Sequence, residues 1–258
     1  MDLGLRGRTV MVCGASRGIG FASAQCFAEA GARVVLVSRS VASLDAAVQR
    51  LEPTGAELQR VAADLATADG IASVLAAVRD VDVLITNTGG PPTGAATGHS
   101  WEAWTAAGEL LLRSAVELTR AYVPGMRARR WGRVVGITSM AVKQPVPSLV
   151  LSNAYRAAVT GYFRTLADEV AGDGVTVNTV LPGYTETERL QELAAATSAR
   201  SGATREQVYD HWKAVTPVGR LGRPEELGAT VAFLASVPAA FITGQALLVD
   251  GGAVRTLL

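Results

Sequence analysis

Short, almost uninterrupted apolar runs rich in valine, isoleucine and leucine recur along the chain, separated by longer stretches with helical spacing. The runs predict strands at 9–13, 33–38, 57–62, 81–86, 133–139, 176–181 and 246–249. Continuous runs, in place of strict alternation, are expected of strands covered on both faces. The intervening segments predict helices at 19–30, 41–51, 70–79, 101–129, 148–171 and 224–235. Strand and helix alternating from end to end predict an α/β fold: a single-domain, Rossmann-type doubly wound sheet of about seven parallel strands with helices on both faces. One region breaks the pattern. Residues 185–216 are polar and helix-prone and fall between the sixth and seventh strands. Ligands of open α/β sheets bind beyond the C-terminal strand ends, so this insertion is expected to act as a lid over a site.

The first strand runs into Gly14-Ala15-Ser16-Arg17-Gly18-Ile19-Gly20, and a helix follows. Glycines in such a turn let the backbone approach a pyrophosphate at the positive end of a helix. A glycine pattern alone is weak, but the flanking strand, helix and second strand supply the required context. The end of the second strand then selects the cofactor: an acidic residue there holds the ribose 2′-hydroxyl of NAD, whereas arginine accommodates a 2′-phosphate. Here Ser38-Arg39 stand at that point, with no carboxylate, and Arg17 lies in the turn itself. The reading is NADP(H), with NAD(H) as the lesser choice.

Composition narrows the function classes. The 258 residues carry a net charge of +1 and only 18% charged side chains, which gives no electrostatic footprint for nucleic acid or an anionic membrane. No apolar stretch is long enough to span a membrane. The two cysteines, Cys13 and Cys26, make no disulfide framework, and no apolar leader opens the chain, so a cytoplasmic, reducing location is expected. No cluster has metal-ligand spacing, and no metal is expected. Lysine occurs only at 143 and 213.

These motifs resemble those of the short-chain dehydrogenase/reductase family, over essentially the whole chain. Cys13 to Gly20 is similar to the family's T-G-x-x-x-G-x-G, with cysteine for threonine. Asp64-Leu65 match its adenine-contacting pair, and Thr86-Asn87-Thr88-Gly89 is similar to N-N-A-G. Pro182-Gly183-Tyr184-Thr185-Glu186-Thr187 resembles P-G-x-x-x-T, which implies that Thr187 faces the nicotinamide carboxamide. The resemblance implies cofactor contacts at Gly14, Ser16, Arg17, Gly18, Ile19, Gly20, Ser38, Arg39, Asp64, Leu65, Asn87, Gly89, Arg156, Pro182, Gly183, Thr185 and Thr187.

The family's catalysis uses an Asn, a Ser, a Tyr thirteen residues after the Ser, and a Lys four residues later. Ser139 is present, but the next two positions hold Ser152 and Arg156, and Ala157-Ala158-Val159 fixes this register. The Asn position, counted back from Pro124, falls on Leu111. Catalytic candidates are therefore Ser139, Ser152 and Arg156. Arg156 can anchor ribose hydroxyls but cannot shuttle protons. Ser152 can donate a hydrogen bond, yet it lacks the acidity of a phenol, whose ordinary pKa is about 10. Substitute proton donors are Tyr155, Lys143, Tyr184, His99 and water, with His211 as a surface residue of the lid. Each is weighed against an ordinary packing or solvated role.

Three functions compete on these residues: an NADP(H)-dependent oxidoreductase with atypical proton transfer, a non-catalytic NADP(H)- or partner-binding protein, and a non-redox enzyme using the same pocket. The retained Thr187 favours the first. The expected substrate is a small organic carbonyl or alcohol. A homo-oligomer, dimer or tetramer, is expected to pair through the helices at 101–129 and 148–171.

Overall fold

The computed structural model describes residues 2–257. Seven strands form one wholly parallel sheet: β1 (Thr9–Cys13), β2 (Arg33–Ser38), β3 (Leu58–Ala62), β4 (Val83–Thr86), β5 (Gly132–Ile137), β6 (Val175–Pro182) and β7 (Ala246–Val249). Their order is β3-β2-β1-β4-β5-β6-β7. The chain builds outward from β1 to β3, then restarts on the other side of β1 with β4. That reversal opens a crevice beyond the carboxyl ends of β1 and β4, where open sheets of this kind bind ligands.

Both faces of the central strands are covered, whereas the edge strands β3 and β7 are partly exposed. Along β1, Val10 and Val12 point into one core cluster with Phe21 and Phe27 of α1 (Gly18–Glu29) and Val231 of α9 (Pro224–Leu234). Met11 and Cys13 point into the other, with Val74 of α3 (Ala68–Ala77), Leu118 and Tyr122 of α5 (Ser114–Ala128) and Phe163 of α6 (Val150–Val170). Successive side chains of a strand face opposite ways, so a run apolar at every position serves two helix layers at once. Helix α2 (Val41–Leu51) covers β2 and β3 and is capped by Ser40, whose Oγ accepts from the Ser43 N–H at 3.2 Å.

Three departures from the expected elements bear on the site. Strand β5 stops at Ile137, short of the expected 139, because Ser139 turns its Oγ back to accept from the Ala141 N–H at 3.1 Å and opens a short helical turn. The helix expected at 101–129 is α4 (Trp101–Gly108) and α5 joined by a widened π-type segment, Glu109–Arg113. Such segments re-aim side chains and frequently mark functional positions. The helix expected from 148 begins at Val150, since Ser148 sits in the left-handed region at φ 62°.

The irregular region 185–216 folds as α7 (Glu188–Ser201) and α8 (Arg205–Val215). The two helices share a small core of Leu190, Ala194, Val208 and Trp212, with Leu221 beneath it. Thr187 caps α7 and Thr204 caps α8, the latter in a reciprocal box with Gln207.

Candidate active site

The turn after β1 is shaped by its glycines. Gly14 and Gly18 have φ of 62° and 56°, conformations that suit a residue without Cβ. Gly20 is buried, and a Cβ there would lie 2.2 Å from the Gly14 carbonyl oxygen and 2.8 Å from Asn87 Nδ2. Only glycine lets α1 settle so closely on the turn. Helix α1 starts at Gly18, and Arg17 at its N-cap supplies no side-chain cap, in contrast to the caps of α2, α7 and α8. Its first N–H groups and positive dipole end are thus directed at the crevice.

A cleft of about 410 Å³ follows the carboxyl edge of the sheet. It is lined by Gly14, Ser16, Arg17, Gly18, Ile19, Ser38, Arg39, Asp64, Leu65, Asn87, Gly89, Ser139, Ser152, Arg156, Pro182, Gly183, Thr185 and Thr187. Every residue expected at the site lies on its wall except Gly20, which packs behind the turn. At one end Ser16 and Ser38 share a hydrogen bond of 3.0 Å, and the exposed Arg39 forms no ion pair among the described residues. Asp64 turns its Oδ1 to the Ala66 N–H at 3.0 Å. Asn87 braces the glycine turn, and Thr187 sits above it, 3.3 Å from where a Gly18 Cβ would stand. The absence of a carboxylate at the end of β2, the free Arg39 and the uncapped α1 suit a dinucleotide with a 2′-phosphate.

At the other end Arg156 gathers the strand terminus. Its Nη1 donates to the carbonyls of Ile137 (3.1 Å) and Thr138 (2.9 Å), and its Nε donates to Ser152 Oγ at 3.1 Å. Burial, with a smaller contribution from Arg189, pulls its pKa down to about 10, so it stays a cation at neutral pH. Ser152 therefore accepts from a guanidinium and keeps its own O–H to give away. Several helical Ser and Thr in this chain spend that proton on the carbonyl four residues back, among them Ser23 on Ile19, Ser114 on Leu110 and Thr160 on Arg156. Ser152 does not. The carbonyl four residues before it belongs to Ser148, outside the helix, and already accepts from the Gly94 N–H at 2.9 Å.

The substitute donors lie elsewhere. Tyr155 turns from the cleft to pack against Trp104, with ring centroids 5.9 Å apart, and against Gly108, where a Cβ would be 3.0 Å from its hydroxyl. Tyr184 stacks on Trp212 at 5.1 Å against the small core of α7 and α8, and burial raises its pKa. Lys143 and His211 are exposed, and neither lines the cleft. His99 lies beside Gly94, its Nε2 buried without a partner, also off the cleft wall. Of the three leucines in the π-type segment, Leu110 reaches the cleft, Leu111 is buried at 4% exposure and Leu112 packs against the core. The widened turn thus presents an apolar group one residue earlier than the count from Pro124 indicates. Also unforeseen were Leu149, Arg189 and Leu193 on the wall; the positions of α7 and of the π-type segment are set by packing that no local motif announces.

Fold and crevice together define a dinucleotide-binding protein of the doubly wound class. A family model described as enoyl-(acyl carrier protein) reductase matches residues 14–254. The chain is 36% identical over 254 residues to the 3-oxoacyl-[acyl-carrier-protein] reductase FabG of Vibrio cholerae, covering 97% of this chain and 98% of that one. It is 34% identical to a monensin polyketide synthase putative ketoacyl reductase of Streptomyces virginiae, over 95% and 96% of the two chains. The L-sorbose reductase of Gluconobacter frateurii, solved with NADPH and L-sorbose, superposes with a TM-score of 0.94 at 35% identity over the full length of both chains. The chain belongs to the short-chain dehydrogenase/reductase family, and its fold is the family's single α/β domain.

Proposed function

We propose that the protein is an NADP(H)-dependent oxidoreductase of a small carbonyl or alcohol, in which Ser152 and Arg156 replace the usual tyrosine and lysine. The observation that carries this reading is the unspent Ser152 hydroxyl, held by Arg156 Nε at 3.1 Å on the cleft wall. The relatives' reductase activities and the NADPH in the sorbose reductase structure support it. Gly14, Ser16, Arg17, Gly18 and Ile19 would hold the pyrophosphate side, Ser38 and Arg39 the 2′-phosphate, Asp64 and Leu65 the adenine. Asn87, Gly89, Pro182, Gly183, Thr185 and Thr187 would hold the nicotinamide side, with Gly20 setting the turn. Bound there, the cofactor supplies hydride.

Ser139 and Ser152 then donate hydrogen bonds to the substrate oxygen, and Arg156 keeps Ser152 oriented and its oxygen electron-poor. Preorganised donors of this kind stabilise a developing alkoxide without themselves titrating. The proton reaches the product oxygen from water, relayed by Ser152, since no phenol among the described residues lines the cleft. Helices α7 and α8 form the lid, within the one domain. A cytoplasmic location and self-association through α4–α5 and α6 complete the reading; Trp101, at the start of α4, is 76% exposed.

The missing phenol favours a second reading, a binder of NADP(H) that has lost turnover. Loss of reduced-nicotinamide absorbance on mixing with ketones, aldehydes and quinones separates the two. Turnover supports the enzyme; tight NADPH binding with no turnover on any carbonyl selects the binder.

A further inference from the structure

Arg189 stands in the first turn of α7, two residues after Thr187, and lines the cleft with Ser152, Arg156, Leu110, Leu149 and Leu193. Its Nη2 donates to the Pro91 carbonyl at 3.0 Å, and a Cβ on Gly90 would stand 2.4 Å from that same nitrogen. The guanidinium thus spans the gap between the lid and the loop that follows β4. Its nearest carboxylate is Glu192, at 3.1 Å and 54% exposed, which also lies 3.9 Å from Arg17. One exposed carboxylate therefore serves two guanidiniums. Arg156, the other cation at this end, forms no ion pair among the described residues and holds only neutral oxygens. Of the remaining acids on the wall, Glu188 faces Gly18, its Oε2 3.9 Å from where a Cβ would be, and Asp64 lies at the end of β3. The end of the cleft beside Ser152 is therefore left with an excess of positive charge beside three leucines. The mutual repulsion is visible in Arg156, whose pKa is lowered first by burial and then by Arg189.

We propose that Arg189 determines specificity: it selects a carbonyl substrate that bears a carboxylate, while Leu110, Leu149 and Leu193 take the apolar part. This rests on the carbonyl-reductase reading. A carboxylate near Arg189 is a charge-assisted partner that the exposed Glu192 supplies only weakly. It also relieves the repulsion between the two arginines. The alternative anion is the cofactor's own pyrophosphate, and the test tells the two apart.

The full chain is loaded with NADP+, which cannot reduce a ketone, and titrated calorimetrically with α-ketobutyrate and with its methyl ester. The acid is expected to bind about 10- to 100-fold tighter than the ester, the range of one charge-assisted hydrogen bond. Arg189→Met is expected to bring the two within about twofold and to leave the NADPH affinity within about threefold, with Arg189→Lys restoring part of the preference. Equal binding of acid and ester, or no binding of either, overturns the assignment. So does Arg189→Met that weakens NADPH while the acid-to-ester ratio stands, which gives the guanidinium to the cofactor. Turnover of neutral carbonyls with no preference for the acid removes this proposal alone. Acid-selective binding without turnover of any carbonyl removes the reductase reading alone.

Discussion

Replacing Ser152 by alanine removes one atom from the cleft wall, and the structure says what that atom does. Ser152 is 7% exposed, accepts from Arg156 Nε at 3.1 Å and has no acceptor for its own proton among the described residues. Two effects follow, and they separate by size. In the ground state Arg156 keeps both strand-end carbonyls, at 3.1 and 2.9 Å, and loses only its Nε partner. One such loss costs about 1 kcal/mol, or about 2–4 °C in Tm for a chain of this length. In the transition state a donor aimed at the developing alkoxide disappears, which costs about 3–4 kcal/mol, a factor of about 10²–10³ in kcat. The assay is steady-state NADPH oxidation on the best carbonyl substrate, with NADPH affinity measured by fluorescence. The expected pattern is kcat down by about two to three orders of magnitude with NADPH affinity within about threefold. A fall in kcat below about threefold refutes the assignment of Ser152, whatever happens to Tm.

Four further outcomes are expected. Gly20→Ala forces a Cβ to 2.2 Å from the Gly14 carbonyl; it should abolish detectable NADPH binding and lower stability by about 1–3 kcal/mol, as denaturant melts would show. Arg39→Glu should weaken NADPH by about tenfold or more and barely change NADH, measured by competition titration; equal losses for both would remove Arg39 from the 2′-phosphate. Tyr155→Phe should leave kcat unchanged, because the ring lies against Trp104 and Gly108 and not on the cleft wall. Last, the pH profile of kcat for reduction should be flat from about pH 6 to 9, since an alkyl hydroxyl does not titrate there. It should fall only as pH rises toward Arg156's lowered pKa of about 10, where the cation holding Ser152 is lost; a break near neutrality would reveal another acid.

Most of the fold was legible because a parallel sheet leaves a strong mark: strands such as Val10–Cys13 and Val34–Val37 are apolar at every position since both faces are covered. The glycine turn after β1 was legible for a related reason. The turn from Gly14 to Gly20 joins neighbouring residues, so local chemistry dictates it. The substrate side was less so. Leu110 enters the cleft through a π-type widening, and Arg189 arrives on a helix whose position depends on the small core around Trp212. Neither has a local signature. Counting from Ser139 did place Ser152 and Arg156 on the wall, but not the reason Ser152 is free. That required Ser148 to leave the helix at φ 62° and give its carbonyl to Gly94.

The central claim is that this cleft transfers hydride without a phenol. Incubation of the protein with NADPH deuterated at the nicotinamide C4 and a carbonyl panel, followed by mass spectrometry of the alcohols, tests it most directly. The account predicts one deuterium on the carbinol carbon, lost in parallel with turnover in Ser152→Ala while NADPH still binds. Tight NADPH binding with no deuterated alcohol from any carbonyl would contradict it.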